Sequence, residues 1–319
     1  MTRLELPALL AHSVLGFLAG VGTLRLVSEE LQDDGARLGW PNGPYSGAVL
    51  ESGYGSIESL TDALYGIAEA TRSSGRLLPG VDRFPPTGEQ ASSDPTSQLS
   101  VAEARRILHE HDRALESWVP AIVGMVPPVD RKTRLADALD KNRFLRAGPG
   151  TVWVSRTLAH ALNDLDSRLM REALSGWRRV DGFIGAYLDP RADVDKATAA
   201  GRRAPPKRGV PGATWLALMA LPLFPVRASD RFLAETVGWR ANRATPKGFQ
   251  WPVWGRELSV ASVTALIDHR VVANASPGSS DDVSLIALGV NAVFRSVRVS
   301  AGNNDAAMAP ADVIWGPTG

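Results

Sequence analysis

The sequence predicts an α+β fold, with a packed N-terminal helix and a small hairpin, a central helical region, and a C-terminal region of mixed sheet and helices. Three observations favour this class. Apolar residues recur at steps of three and four in some segments and alternate with polar residues in others, which separates helix from strand. Both kinds of segment occur along the whole chain, and no internal repeat is visible. A chain of 319 residues, 44% of them hydrophobic and 22% charged, can bury a large core.

The first predicted element is a helix that includes LGFLAGVGTLRLV, residues 15–27. Gly16 and Gly20 are four residues apart and share one helix face, where the missing side chains would let another backbone come close. The glycines are spaced G-x-x-x-G-x-G with no strand before them, so the stretch does not match the G-x-G-x-x-G turn of dinucleotide-binding proteins. Glu5 and His12 interrupt the apolar run, and the helical period continues past any cleavage point. A buried helix is therefore favoured over a secretion signal or a membrane anchor.

The following elements are predicted from the same periods and from turn residues. Short β-prone runs on either side of Asn42, Gly43 and Pro44 predict a hairpin, and Ser100 and Glu103 have the spacing of a capping box that opens a helix. The expected elements are strands over 37–41 and 46–51, a helix over 57–72, an exposed loop over 73–98, a helix over 100–118, a strand over 151–155 and a helix over 156–175. Beyond a Pro- and Gly-rich segment, they are apolar core over 213–224, an extended run over 251–254, a helix over 259–269 and strand over 284–299.

Composition divides the chain into an N-terminal and helical region (1–188), a basic Pro- and Gly-rich loop (189–212) and a C-terminal mixed α/β region (213–319). Turn-forming residues are concentrated in the middle segment, which favours a loop there. The first and last regions are expected to form one compact unit.

The net charge of +1 conceals a gradient along the chain. Residues 1–100 hold 6 Lys and Arg against 12 Asp and Glu, and residues 196–319 hold 14 against 8. From Lys196 to Arg256 there are eleven basic residues and two acidic ones. Such a tract attracts polyanions, and the guanidinium groups that dominate it bind phosphate oxygens in a planar, bidentate way.

We therefore predict nucleic-acid contacts from seven residues of this tract: Arg202, Arg203, Lys207, Arg208, Arg240, Arg243 and Lys247. The part from 201 to 209 is expected to be a loop. Basic loops of this kind bind phosphates where they meet nucleic acid and are otherwise solvated. A GC-rich genome would give the same excess of arginine.

Residues for a catalytic or metal site are not evident. Cysteine is absent, which excludes a thiol nucleophile and thiolate metal sites. His109 and His111 are two apart and would face away from each other on a helix, and no stretch has the G-x-S-x-G pattern of a serine hydrolase. The sequence therefore predicts a protein that is not an enzyme and has no cofactor or metal. An unrecognised hydrolase or transferase stays an alternative, which a pocket joining His160 or His269 to a carboxylate would favour.

Four segments carry a family resemblance. They are LGFLAGVGTLRLV with ARLGW after it, VPGATWLALMALPLFPV (210–226), WPVWGRELSVASVTALI (251–267) and GVNAVFRSVR (289–298). They resemble segments of CRISPR-associated proteins of type I-G systems, formerly type I-U, which are related to or accompany the large subunit of the RNA-guided surveillance complex, Cascade. The likeness is weak through residues 52–150, and none of the four segments is a catalytic signature.

The resemblance implies a cytoplasmic, non-catalytic subunit of a type I CRISPR interference complex in antiviral defence. In such complexes guide RNA reads target DNA by base pairing, while protein subunits bind backbones and recruit a separate helicase-nuclease. The implied partners are guide RNA, target DNA, neighbouring subunits and the helicase-nuclease, with no membrane. A scaffold that contacts only protein stays an alternative, which a flat apolar patch built from tryptophans such as Trp251 and Trp254 would favour.

Overall fold

The computed structural model of the chain describes residues 1–81, 102, 105–106, 113–126, 138–147, 150–151, 154–183, 185–189, 208–228, 234–240, 247–276, 282–300 and 306–316. Numbered in chain order, the helices are α1 (Val14–Arg25), α2 (Ile57–Ser73), α3 (Arg113–Ile122), α4 (Val154–Asn163), α5 (Ser167–Ser175), α6 (Pro211–Met219), α7 (Val260–Ile267), α8 (Arg270–Asn274) and α9 (Asp282–Ala287). The strands are β1 (Thr2–Leu6), β2 (Arg37–Gly39), β3 (Ala48–Ser52), β4 (Val123–Val126), β5 (Ala138–Lys141), β6 (Arg146–Ala147), β7 (Gly150–Thr151), β8 (Val180–Asp181), β9 (Arg208–Gly209), β10 (Val226–Ala228), β11 (Ala234–Thr236), β12 (Trp239–Arg240), β13 (Gly248–Trp254), β14 (Val290–Ser300), β15 (Ala306–Met308) and β16 (Asp312–Trp315).

The mixture of helices and small antiparallel sheets confirms the predicted α+β class. The largest sheet has the order β12-β13-β14-β15, with β16 pairing with β14 as well. A smaller sheet near the N-terminus has the order β1-β3-β2, and its β2–β3 pair is the predicted hairpin, with Arg37 opposite Glu51 and Gly39 opposite Val49. The main chain of Leu38 in β2 bonds to Leu258, which joins the small sheet to the C-terminal region.

Helix α1 lies in the centre of the core, as predicted. Every residue from Val14 to Arg25 is buried, because the helix is apolar all round. Ser13 caps its N-terminus by accepting a hydrogen bond from the Gly16 amide at 3.3 Å. Along its length α1 packs against α6, which is buried on every side too. The chain then continues into a π-helical turn, Leu26–Glu30.

The prediction that another backbone comes close to the glycines of α1 is correct at Gly16 and wrong at Gly20. A Cβ atom at Gly16 would lie 2.5 Å from the Leu10 carbonyl oxygen, so this glycine does admit a second stretch of backbone. At Gly20 the neighbour is the Trp40 ring at 3.2 Å, a side chain rather than a backbone. The close approach to α6 occurs at Gly22, where a Cβ atom would overlap the carbonyl oxygen of Leu216. The face that contacts the neighbouring helix is thus the Gly22 face.

Aromatic side chains connect α1 to the C-terminal sheet. The indole Nε1 of Trp251 donates to the Ala11 carbonyl oxygen at 2.9 Å, and that of Trp254 donates to the Leu38 carbonyl oxygen at 2.7 Å. Phe17 lies 5.8 Å from the Trp251 ring, measured between centroids. Trp251 and Trp254 are fully buried, so they belong to the core and form no surface patch.

Several predicted elements are confirmed and others are corrected. The helix predicted over 57–72 is α2, and the extended run over 251–254 lies in β13. The predicted helix over 100–118 is described only in part: α3 begins at Arg113 and runs on to Ile122. Of the predicted loop over 73–98, residues 82–98 lie outside the described residues.

Three predictions over other segments were wrong. Of the strand predicted over 151–155, residue 151 ends β7, residues 152–153 lie outside the described residues, and the last two residues are helical, since α4 starts at Val154. The single helix predicted over 156–175 is two helices, because the Asp166 carboxylate caps α5 by accepting from the Leu169 amide at 2.6 Å. The strand predicted over 284–299 begins only at Val290, after Gly289, whose φ of +74° breaks the helix α9 from β14.

Candidate nucleic-acid interface

Five arginines and two carboxylates are linked by successive contacts at the β12 edge of the C-terminal sheet. We call this set the arginine network; its members are Arg143, Arg227, Arg240, Arg295 and Arg298 with Glu235 and Asp268. At one end, Arg298 donates from Nη2 to the carbonyl oxygens of Arg143, at 3.2 Å, and Phe144, at 2.9 Å. Its guanidinium lies 5.7 Å from the centroid of the Trp239 ring. Arg143 in turn interacts electrostatically with Glu235.

The other end of the network reaches the surface. Glu235 lies opposite Arg227 in the β10–β11 pair. Arg227 forms an ion pair through Nη1 with Asp268, and Nη2 of Arg240 lies 4.0 Å from the second oxygen of the same carboxylate. Arg295 donates from Nη2 to the Arg240 carbonyl oxygen at 3.1 Å. One carboxylate is thus shared by two arginines, and a third arginine is held against the backbone of the second.

Local sequence explains how Arg295 reaches this place. Its strand partner β13 begins at Gly248, where a Cβ atom would lie 3.1 Å from Nε of Arg295 and 2.7 Å from the Ser296 carbonyl oxygen. The absence of a side chain at Gly248 therefore leaves room for the guanidinium. Gln250 accepts from Nη1 of Arg295 at 3.4 Å and donates to the Val272 carbonyl oxygen at 2.6 Å, which fixes the arginine against α8.

Burial lowers the pKa values of three arginines of the network. Desolvation lowers the pKa of Arg143 and of Arg295 and lowers the pKa of Arg298 to about 10. All three remain protonated at neutral pH, so the fold holds cations in a medium that disfavours them. Among the described residues, the network brings together five guanidinium groups and two carboxylates. Its accessible part is at Arg227 and Arg240, whose side chains are 51% and 27% exposed. Such a surface attracts anions.

The sequence-predicted residues fall into three groups. Arg240 belongs to the network, and Lys247, half-buried, directly precedes Gly248 in the adjoining chain. Arg208 lies apart from these two, in the β8–β9 pair, where its Nε is 2.5 Å from Asp181 Oδ1 on an exposed surface. The remaining predicted residues lie outside the described residues: Arg202, Arg203, Lys207 and Arg243.

Sequence reasoning missed most of the network. Arg143 and Arg298 touch although 155 residues separate them, a contact that no local pattern shows. A usable indication did exist in GVNAVFRSVR, where Arg295 and Arg298 interrupt an otherwise apolar strand. Three residues apart, they point to opposite faces of β14. The network therefore passes from one face of the sheet around β12 to the other.

The histidines named by the hydrolase alternative do not assemble a site in the described residues. His160 Nε2 lies 3.3 Å from Asp164 Oδ2, but both side chains are about half exposed on the surface of α4. His269 caps α8, with Nδ1 accepting from the Val271 amide at 3.2 Å. In the described part of the chain, no three His, Asp or Glu side chains are placed to hold a metal ion. His109 and His111 lie outside it.

None of the helices that the structure describes is both long enough and apolar enough to cross a membrane. Compared with known proteins, the sequence matches no protein-family model and no curated protein.

Proposed function

We propose that this protein binds the sugar–phosphate backbone of a nucleic acid through the arginine network. The observation that supports this proposal is the gathering of five guanidinium groups around two carboxylates at the edge of the C-terminal sheet. Phosphate oxygens complement a guanidinium both in charge and in bidentate geometry. A bound backbone would contact the accessible members, Arg227 and Arg240.

The proposed contacts are to backbone and not to bases. The exposed members, Arg227 and Arg240, present charge at a strand edge, and contacts of this kind position a nucleic acid without reading its sequence. Arg208, Lys207, Arg203 and Arg202 extend the proposal on sequence grounds to the basic loop. Within the described ranges, Arg208 has the Asp181 carboxylate to itself, whereas Arg240 shares Asp268 with Arg227, so the contribution of Arg208 is expected to be smaller than that of Arg240.

In the cell, we propose that the chain acts as a non-catalytic, cytoplasmic subunit of a type I CRISPR interference complex. The resemblance of four segments to type I-G proteins supports this role. A subunit of that kind needs basic surfaces for guide RNA or target DNA and contacts to neighbouring subunits, while a separate helicase-nuclease cuts the target. The bound nucleic acid would be the guide RNA or the target strand.

The test is a pair of variants with effects of opposite sign. Arg227→Gln with Arg240→Gln should weaken binding of a fluorescently labelled single-stranded oligonucleotide. The slope of log K against log salt should flatten by about 0.7, the value for single strands, for each phosphate that the variant no longer binds. Asp268→Asn removes the shared carboxylate and should tighten binding of the same oligonucleotide. Anisotropy titrations at several salt concentrations measure both changes.

The control is the double variant Arg168→Gln with Arg171→Gln, which removes the same number of exposed arginines from α5. It should leave affinity and salt slope nearly unchanged. A network variant that binds like the unaltered protein contradicts the proposal, as does an Asp268→Asn protein that binds more weakly. If no oligonucleotide binds but complex subunits still co-purify with the chain, a scaffold that contacts only protein becomes the better explanation.

A further inference from the structure

A cavity of about 540 Å³ is lined by none of the residues of the arginine network. Three stretches of chain form it: the connection from β1 to α1, the end of α5 with the residues after it, and the turn between β15 and β16. Its volume is within the range of about 300–1,000 Å³ typical of small-molecule pockets. The described residues that line it include His12, Trp177, Arg179, Asp189 and Pro310.

The polar wall of the cavity is an ion pair. Arg179 Nε donates to Asp189 Oδ2 at 2.8 Å, and the Asp189 side chain is only 4% exposed while that of Arg179 is 25% exposed. The carboxylate therefore orients the guanidinium, and the guanidinium is the accessible partner. Nε is engaged, and no described residue accepts a hydrogen bond from Nη1 or Nη2 of Arg179. The cavity thus has a pre-oriented pair of donors.

The other walls are mainly apolar and aromatic. The Trp177 indole is held in place because its Nε1 donates to the Ala173 carbonyl oxygen at 3.1 Å. The His12 ring packs against Tyr45 with 5.3 Å between centroids. Apolar residues such as Pro7, Leu10, Pro310 and Ala311 also line the cavity, together with the hydroxyl-bearing Ser13 and Ser175. Flat apolar walls favour a planar ligand, since aromatic rings stack without needing charge.

The charge of the ion pair decides what kind of ligand fits. Arg179 and Asp189 neutralise each other, so the cavity offers hydrogen-bond donors but no net positive charge. A free anion would gain from the guanidinium and lose against the carboxylate beside it. A neutral planar ring with hydrogen-bond acceptors on its edge matches both the donors and the walls.

We propose that this cavity binds a single nucleobase, with guanine preferred. Guanine presents two adjacent acceptors, O6 and N7, which an arginine fork contacts together. Cytosine also presents two adjacent acceptors, O2 and N3, but its single ring offers less area for stacking on the aromatic walls than the double ring of guanine. The base stacks on the aromatic residues that line the cavity, Trp177 and His12, and Nη1 and Nη2 of Arg179 donate to its edge. The same chemistry can come from a free nucleoside or from one base of a bound strand, and the second source rests on the proposed function.

The β8–β9 pair joins Arg208 to the chain that directly follows Arg179 of the cavity. Arg208 forms an ion pair with Asp181, which is two residues from Arg179 in the sequence. Lys207 is the covalent neighbour of Arg208. A nucleic acid bound at Arg208 would therefore contact the chain segment that carries Arg179, which favours a base of that nucleic acid over a free nucleoside.

The test uses the full chain and the four nucleosides, guanosine, adenosine, cytidine and uridine, by calorimetry and saturation-transfer NMR. Guanosine should bind most tightly. Arg179→Lys keeps a cation for Asp189 but loses the planar fork, and should weaken guanosine binding by about tenfold or more. Ala311→Phe should fill the cavity and abolish binding. Arg178→Lys makes the same chemical change one residue away, at an exposed pair with Glu172, and should have no effect.

Other outcomes separate this inference from the proposed function. Arg227→Gln with Arg240→Gln should leave guanosine binding unchanged, and Arg179→Lys should remove any preference for guanine-containing oligonucleotides without changing the salt slope. Guanosine binding without oligonucleotide binding would contradict only the proposed function. Equal binding of all four nucleosides, competition by inorganic phosphate, or binding that survives both Arg179→Lys and Ala311→Phe would overturn the cavity assignment.

Discussion

At the scale of single residues, Arg25 shows how a charge can belong to the core. The side chain is 3% exposed and lies 5.0 Å from the centroid of the Trp118 ring. It donates to the Met219 carbonyl oxygen at 3.2 Å, and Nε is 2.8 Å from the Glu29 carboxylate. Burial lowers its pKa, and Glu29 and Glu30 oppose that shift. The residue that ends the apolar helix therefore joins α1 to α3 and α6 and has no accessible surface for a ligand.

Gly22 tests the tightest contact between helices. A Cβ atom there would overlap the Leu216 carbonyl oxygen and lie 3.2 Å from the Ala220 amide, both backbone atoms that cannot rotate away. We expect Gly22→Ala to lower the free energy of unfolding by about 1–3 kcal/mol, the usual effect of overpacking a core. The measurement is urea unfolding followed by circular dichroism.

Gly66 is the matched control, since it is an exposed helical glycine of α2 with nothing within 4 Å of a Cβ position. Gly66→Ala should stabilise the protein by up to about 1 kcal/mol, because alanine favours helix. If Gly22→Ala also stabilises, the two helices are farther apart than the structure places them.

At the scale of elements, the sequence predicts helices and strands that have a regular apolar period, but it does not predict where short elements begin and end. The amphipathic period of α2 and the turn formers between β2 and β3 identify these elements without help from the rest of the fold. Residues 284–287 could not be assigned in this way, because a short apolar run suits strand and buried helix equally. The break between α4 and α5 was missed because Asp166 resembles any exposed acidic residue until its capping bond is seen.

That break gives a prediction about capping. Asp166→Ala removes the acceptor of the Leu169 amide and should lower the free energy of unfolding by about 0.5–2 kcal/mol. Asp164→Ala is the control two residues away, where an exposed contact with His160 should contribute less than about 0.5 kcal/mol. Equal losses in the two variants, measured by thermal and urea unfolding, would show that Asp166 does not cap α5. Because α5 ends at the cavity, the Asp166 variant should also bind guanosine more weakly.

At the scale of the whole molecule, the charge gradient of the sequence does not divide the fold into an acidic and a basic half. The indole of Trp251 bonds to Ala11, and α1 lies between α6 and the C-terminal sheet, so the two ends of the chain share one core. The candidate sites are assembled in the same way from distant segments. Arg240 could therefore be predicted from the sequence as a candidate site residue. The residues that it contacts, Asp268 and Arg295, could not be predicted, because they are distant in the sequence.

An oligonucleotide at the arginine network and guanosine in the cavity should both stabilise the folded protein, but with a different dependence on salt. A ligand that binds only the folded state raises the free energy of unfolding by about 2.7 kcal/mol at a hundred times its Kd. A single-stranded oligonucleotide at that excess should raise Tm by several degrees at low salt, and by progressively less as salt rises, because its binding depends on phosphate contacts. Guanosine should raise Tm by an amount that salt barely changes, because the Arg179–Asp189 pair is neutral and the base carries no charge. Differential scanning calorimetry across a salt series measures both. Arg227→Gln with Arg240→Gln should remove only the first shift, and Arg179→Lys only the second; a single variant that removes both would mean that one surface binds both ligands.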